Sequence, residues 1–288
     1  MLHLNGRTPQ PYSQTFIPRG TGTPFSPPPA AAGGAAKPAF PPAGTIITSV
    51  WSDVTGDGIP DLVYLIGTPP DQNSPFLTNI TLAMRNGSSQ QTTYVPLATN
   101  SGYNPTLFAG DFVGDGVADI LIRIDSGGSG AFTYDYIYSF YGGTPLLIFD
   151  YELYNMSQSF KVRYLDHYRL EVTSRQPAQV YLLDISLRGK DYLSEIYNPN
   201  GTLKKPLEGD IAPLSGLYPV DLERDGVYEL QAYHGIIGQY NADRFGYIVN
   251  TLKLSNNGWQ IIQQWASIFG ADPAHIQPAG SSMPANRI

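Results

Sequence analysis

One motif, repeated three times along the chain, limits its fold more than any other feature. The segments Asp53-VTGDGIPDLVYL, Asp111-FVGDGVADILIR and Asp221-LERDGVYELQAY share the core D-x-x-x-D-G-x-x-[D/E] and each runs straight into an apolar strand. Their first residues are 58 and 110 apart, and 110 is twice 55. A further unit is therefore expected near residue 166, where Val162-RYLDHYRLEV supplies flanking strands but only a short Asp166–Arg169 turn. Self-similarity at such a period marks a repeat architecture. Strand-like runs rich in β-branched and aromatic residues fill the periods: Thr45–Trp51, Leu62–Ile66, Asn79–Met84, Ile120–Ile124, Phe132–Tyr141, Leu146–Tyr151, Gln179–Ile185, Tyr228–Tyr233, Phe245–Leu254 and Trp259–Trp265. The apolar spacing of Trp259–Ile268 also suits a short helix. Room for four strands per period predicts an all-β chain, a β-propeller of about four four-stranded blades at 45–101, 102–158, 159–213 and 214–269.

The motif has a chemistry. A hard cation such as Ca²⁺ takes six to eight oxygens, and a tight loop with carboxylates at positions 1, 5 and 9 can wrap one. The expected ligands are Asp53, Thr55, Asp57, Asp61 and the Ile59 carbonyl in the first loop. They are Asp111, Asp115, Asp119 and the Val117 carbonyl in the second, and Asp221, Glu223, Asp225, Glu229 and the Val227 carbonyl in the third. The sixth residue is glycine each time (Gly58, Gly116, Gly226), which allows the sharp turn. Position 12 is Tyr64, Ile122 and Ala232, so the loop is not an EF-hand, which needs glutamate there. The competing reading is a plain Asp-Gly turn with aspartates capping backbone N–H groups. A turn needs one such carboxylate and not three, since like charges repel.

DVTGDGIPDL and DFVGDGVADI, with DLERDGVYEL more distantly, resemble the integrin alpha-chain-like FG-GAP (VCBS) repeat family. The resemblance covers the loops and their adjacent strands. It implies a β-propeller with calcium held in blade loops, usually outside the cell, serving adhesion or ligand binding. Two departures stand out. Position 3 is Thr55 and Val113 where the family favours Asp or Asn, and four periods fit where family members commonly form seven blades.

Charge and composition exclude other classes. With 17 basic and 24 acidic residues the net charge is −7, which argues against a phosphate-tracking nucleic-acid binder. The absence of cysteine removes disulfides, thiolate metal sites and cysteine nucleophiles. No apolar run approaches the ~20 residues of a membrane-spanning helix, and the first residues lack the apolar stretch of a secretory signal. Residues 1–44 carry 10 prolines, 6 glycines, three basic residues and no acid. They are expected to form a flexible arm that folds back weakly or docks on another subunit. Residues 270–288 read as a shorter loose tail.

No nucleophile elbow, phosphate loop or metal-protease helix motif occurs. The histidines at 3, 167, 234 and 275 show no paired spacing, and His234 is expected at the surface. Tyrosine clusters such as Tyr134-DYIYSFY are expected to pack, with rim aromatics as the basis of an alternative, lectin-like reading. Sequons at Asn79, Asn86, Asn155 and Asn200 lie in turn-rich sequence. The expectation is a non-catalytic, calcium-binding propeller, a structural, adhesive or protein-binding module on an extracellular or spore-like surface. Its partner is a protein or a surface glycan, with no membrane insertion. A polysaccharide lyase or hydrolase is the remaining alternative, because carboxylate pairs of the required geometry are invisible in a sequence.

Overall fold

The computed structural model describes residues 43–270. The expected arm and tail lie, apart from residues 43, 44 and 270, outside the described residues. What is described is all-β, with two short helices.

Four antiparallel meanders follow one another. The first runs β1 (Thr45–Ser52), β2 (Asp61–Thr68), β3 (Phe76–Arg85) and β4 (Thr92–Pro96). The second runs β5 (Gly102–Gly110), β6 (Asp119–Asp125), β7 (Thr133–Ser139) and β8 (Leu146–Asp150). Helix α1 (Tyr151–Ser157) follows at once, because Asp150 Oδ1 accepts the N–H groups of Glu152 and Leu153 and so caps its first turn. The third meander has three strands, β9 (Phe160–Leu165), β10 (Arg169–Ser174) and β11 (Gln179–Asp184), and leads into helix α2 (Lys190–Ile196). The fourth runs β12 (Glu208–Val220), β13 (Glu229–Ile237), β14 (Arg244–Ser255) and β15 (Gly258–Ile268). The stretch Trp259–Ile268 is therefore strand, not helix.

Each of the later long meanders hooks onto the one before through the first residues of its leading strand. Gly102 and Tyr103 of β5 pair with Leu77 and Phe76 of β3, and Glu208 and Gly209 of β12 pair with Arg163 and Val162 of β9. Beyond the hook both strands break register, between Tyr103 and Thr106 and between Ile211 and Leu214. Pro105 and Pro213 sit in those breaks, where a missing N–H costs no ladder bond. The outcome is an eight-stranded sheet and a seven-stranded one. The seven-stranded sheet curls until its two end strands nearly meet, and the Tyr181 hydroxyl on β11 donates to Gln264 Oε1 on β15 at 3.2 Å. This nearly closed sheet is a departure from four equal blades. The boundary expected at 213/214 falls inside β12, which serves the third and fourth meanders together.

Two apolar cores result. One is built mainly by β2, β3, β6 and β7 and extends to Leu214, Leu217 and Leu252 of the second sheet; the other fills the curled sheet around Leu170, Val172, Ile236 and Ile248. Arg123 on β6 ties the sheets together. It pairs with the fully buried Asp135, donates to the Leu217 carbonyl and lies 4.2 Å from the centroid of the Tyr218 ring. Burial pushes the Asp135 carboxyl up to about 6, against the opposing pull of Thr133 and Arg123.

Candidate functional site: three interlocked acidic loops

All three loops fold by one hydrogen-bond scheme. The position-1 carboxylate gathers the turn: Asp53 accepts Gly56 N–H at 2.7 Å and Gly58 N–H at 2.8 Å, and Asp111 accepts Gly114 at 2.6 Å and Gly116 at 2.8 Å. Asp221 accepts Gly226 N–H at the matching position 6 and, in place of position 4, Asp225 N–H at position 5, both at 3.1 Å. The position-5 carboxylates Asp57, Asp115 and Asp225 accept from the backbone two residues on, at Ile59, Val117 and Val227. The position-9 carboxylates reach back to position 2, where Asp61, Asp119 and Glu229 accept the N–H groups of Val54, Phe112 and Leu222. Gly56 and Gly114 have φ of 79° and 84°, which glycine adopts freely; Arg224 holds φ 57° at the matching place in the third loop.

The loops also interlock. Ala118 N–H donates to the Asp53 carbonyl at 3.4 Å, and Tyr228 N–H donates to the Asp111 carbonyl at 2.8 Å. Position 8 of one loop thus bonds position 1 of the loop before it. A Cβ on Gly56 would lie 3.1 Å from Val117, and one on Gly114 would lie 3.6 Å from Val227, so position 7 of each next loop covers the turn of the last. The second loop meets the third directly, although the third meander separates them in sequence.

The fit to a cation differs from loop to loop. Asp61 is fully buried; its Oδ2 accepts from Val54 and Thr55, and its Oδ1 from Gly87 at 2.8 Å. Asp119 and Glu229 are buried likewise, and they too fasten backbone. Among the described residues no three His, Asp or Glu side chains gather into a metal-holding group. The position-9 carboxylates thus commit acceptor sites to backbone N–H groups. Positions 1 and 5 do retain acceptor capacity, since an ionised carboxylate offers about four lone-pair sites and these use two or fewer.

In the first loop Asp57 also accepts the Ser88 hydroxyl at 2.9 Å, and the Ile59 N–H together with Ser88 holds its carboxyl below the usual range. Thr55, the expected position-3 ligand, is 8% exposed, and its hydroxyl has no hydrogen-bond partner among the described residues. A buried hydroxyl left so calls for a ligand or water. In the second loop burial raises Asp115 and pushes Asp119 up to about 7; the neighbouring loop carboxylates add to both shifts. Among the described residues no basic side chain forms an ion pair with these acids. In the third loop the cation is already present as protein. Lys253 Nζ stands 2.8 Å from Glu223 and 3.3 Å from Glu229.

The spacing of the motif did not disclose Lys253, nor the Gly87–Ser88 turn that caps the first loop. Gly87 has a readable reason to be glycine only in three dimensions: a Cβ there would lie 2.2 Å from the Pro60 carbonyl oxygen. His234, expected at the surface, is 1% exposed. Its Nδ1 faces the Ala212 carbonyl and its Nε2 the Tyr154 hydroxyl, both at 3.1 Å.

Comparison with known proteins falls on these same parts. The FG-GAP-like repeat family matches residues 53–122, which hold the first two loops, and a YybI C-terminal domain family matches residues 158–267, the curled sheet. The chain is 44% identical over 227 residues to the uncharacterized protein YybI of Bacillus subtilis (strain 168), covering 79% of this chain and 86% of that protein.

Proposed function

The chain belongs to the YybI family, and we propose that it is a non-catalytic, β-propeller-like protein-binding module whose acidic loops are stiffened by calcium. The observation that carries this reading is the FG-GAP-like match over residues 53–122, which coincides with two loops built on one hydrogen-bond scheme and locked to each other. A calcium ion would draw on Asp53, Asp57 and Thr55 in the first loop and on Asp111 and Asp115 in the second, while Lys253 serves the third. The ion would supply neutralisation and rigidity. The chain's own groups do the rest: position 1 gathers the turn, position 9 pins it, and position 8 hands it to the next loop. Commitment of these carboxylates to backbone N–H groups supports a binding role over acid–base work.

An extracellular or spore-like surface is the setting that suits such a module. The three basic groups and no acid of residues 1–44 complement an acidic body, which favours their docking on a second subunit. The test uses the full chain. Millimolar calcium should raise its melting temperature and chelator should lower it, Asp57→Ala should blunt the response, and adsorption to intact cells, spores or their envelopes should need calcium. A melting temperature indifferent to calcium would remove the metal, and calcium-dependent turnover of a polysaccharide would replace the binding role with catalysis.

A further inference from the structure

At the third repeat position, near residue 166, the chain carries a different device from an acidic loop. Between β9 and β10 it turns through Asp166, His167 and Tyr168, and the last two have φ of 61° and 58°. Left-handed backbone at a bulky aromatic residue is strained, and it persists only where the surroundings enforce it. Here they do. His167 N–H donates to the Gly201 carbonyl at 2.7 Å, and Leu203 N–H donates to Asp166 Oδ1 at 2.8 Å. Gly201 has φ of 81°, which glycine adopts freely, and a Cβ there would lie a tight 3.3 Å from His167 Nδ1. The turn sets the Tyr168 ring edge-on to Tyr197, with centroids 4.9 Å apart.

Both rings line a groove of about 420 Å³ beside α2, with Leu193, Lys190 and Lys204 among its other walls and no acidic side chain. The volume is that of a small-molecule site, within the ~300–1,000 Å³ such sites span. Its charge is out of keeping with the rest of the molecule. Residues 159–207 hold eight basic and five acidic side chains, a net +3, whereas residues 45–158 hold two basic and eleven acidic, a net −9. Lys190 and Lys204 form no ion pair among the described residues. Lys204 Nζ donates to the Ser194 carbonyl at 2.5 Å, which leaves two of its three donors free.

We propose that this groove binds an acidic sugar, a uronate-type unit of an anionic glycan. Its carboxylate lies with the ammonium groups of Lys190 and Lys204, and its ring lies on the half-buried Tyr168, which the buried Tyr197 backs edge-on. A ring-shaped ligand is favoured over a peptide because β9 and β10 pair with each other up to the turn, and their outer edges are taken by β12 with Leu207 and by β11. The site is separate from the acidic loops and does not rest on their binding calcium.

The experiment is titration calorimetry on the full chain with a galacturonic acid tetramer, a neutral galactose tetramer and tetraglutamate, at fixed ionic strength. The acidic sugar should bind and the other two should not. Lys190→Gln with Lys204→Gln should weaken it about tenfold or more, Lys204→Arg should keep most of the affinity, and Tyr168→Leu should weaken it with both charges intact. The lysine variants change exposed side chains, so unaltered melting temperatures and calcium responses will show that their fold is kept. Failure of the galacturonic acid tetramer to bind would overturn the proposal. So would equal affinity for the neutral sugar or for tetraglutamate, or affinity unmoved by both the lysine pair and Tyr168. None of those results would bear on calcium in the loops.

Discussion

His234 should make the protein lose stability as pH falls below neutrality, and the amount follows from its surroundings. It is buried between Tyr154 and Phe160. The Ala212 carbonyl can only accept, so Nδ1 carries the proton and Nε2 accepts from the Tyr154 hydroxyl. The Tyr154 oxygen in turn accepts from Asn250 Nδ2 at 2.8 Å, and Asn250 Oδ1 accepts from Gln264 at 2.8 Å. A second proton on the ring would turn Nε2 into a donor aimed at Tyr154, whose hydroxyl hydrogen already points there. Burial accordingly holds the imidazole down at about 4, against an ordinary 6.5. The unfolded chain takes up a proton near 6.5 and the folded one near 4. Stability from the neutral ring is thus complete above 6.5 and is lost as pH falls through that window. At about 1.4 kcal/mol per tenfold in proton affinity, the loss approaches roughly 3 kcal/mol.

Asp135, raised to about 6, works in the opposite direction: its folded form holds a proton that the unfolded form has released, so its contribution is lost as pH rises from about 4 to 6. The His234 share is therefore read as a difference. Urea unfolding of the wild type and of His234→Gln, from pH 7.5 to 4.5, should show the variant less stable at pH 7.5 and the gap closing as pH falls. Parallel pH curves for the two proteins, or a His234 resonance titrating near 6.5, would refute the reasoning.

Lys253→Met should leave Glu229 buried without its cation and lower stability by about 1–3 kcal/mol; part of that loss should return on adding calcium, read by melting temperature. A variant that melts unchanged would show that the ammonium does not stand in a cation's place. Arg123→Met should cost about 3–5 kcal/mol in urea unfolding by stranding the Asp135 charge, and Arg123→Met with Asp135→Leu should recover much of it. Equal losses in the single and double variants would mean that the stranded Asp135 charge is not the source of the loss.

The acidic loops were legible because their determinants are local. A carboxylate at position 1 and glycine at position 6 specify a turn within a few residues, whatever lies around it. Strands with β-branched runs, such as β6 and β14, were legible for the same reason. β5 and β12 were not, because Pro105, Pro213 and Pro219 speak against strand unless register breaks and a short hook absorb them. α1 begins on an aromatic run that reads as strand, and only the Asp150 cap turns it into helix. The backbone bonds of the position-9 acids were not legible, since sequence records a charge but not the N–H groups that converge on it. Lys253 and His234 depend on contacts across strands. No spacing carries that information.

The direct bond between the second and third acidic loops has a consequence for how this chain can vary. Residues 111 and 228 meet with no part of the third meander between them, so that meander is an excursion that leaves the row of loops and returns to it. Its lengths, charges and turn residues can drift without altering the spacing of the row. The groove at Tyr168 and Lys204 sits on the excursion, while the loops supply the frame. A lineage could therefore change what the groove accepts, through substitutions confined to residues 159–207, and keep the frame untouched.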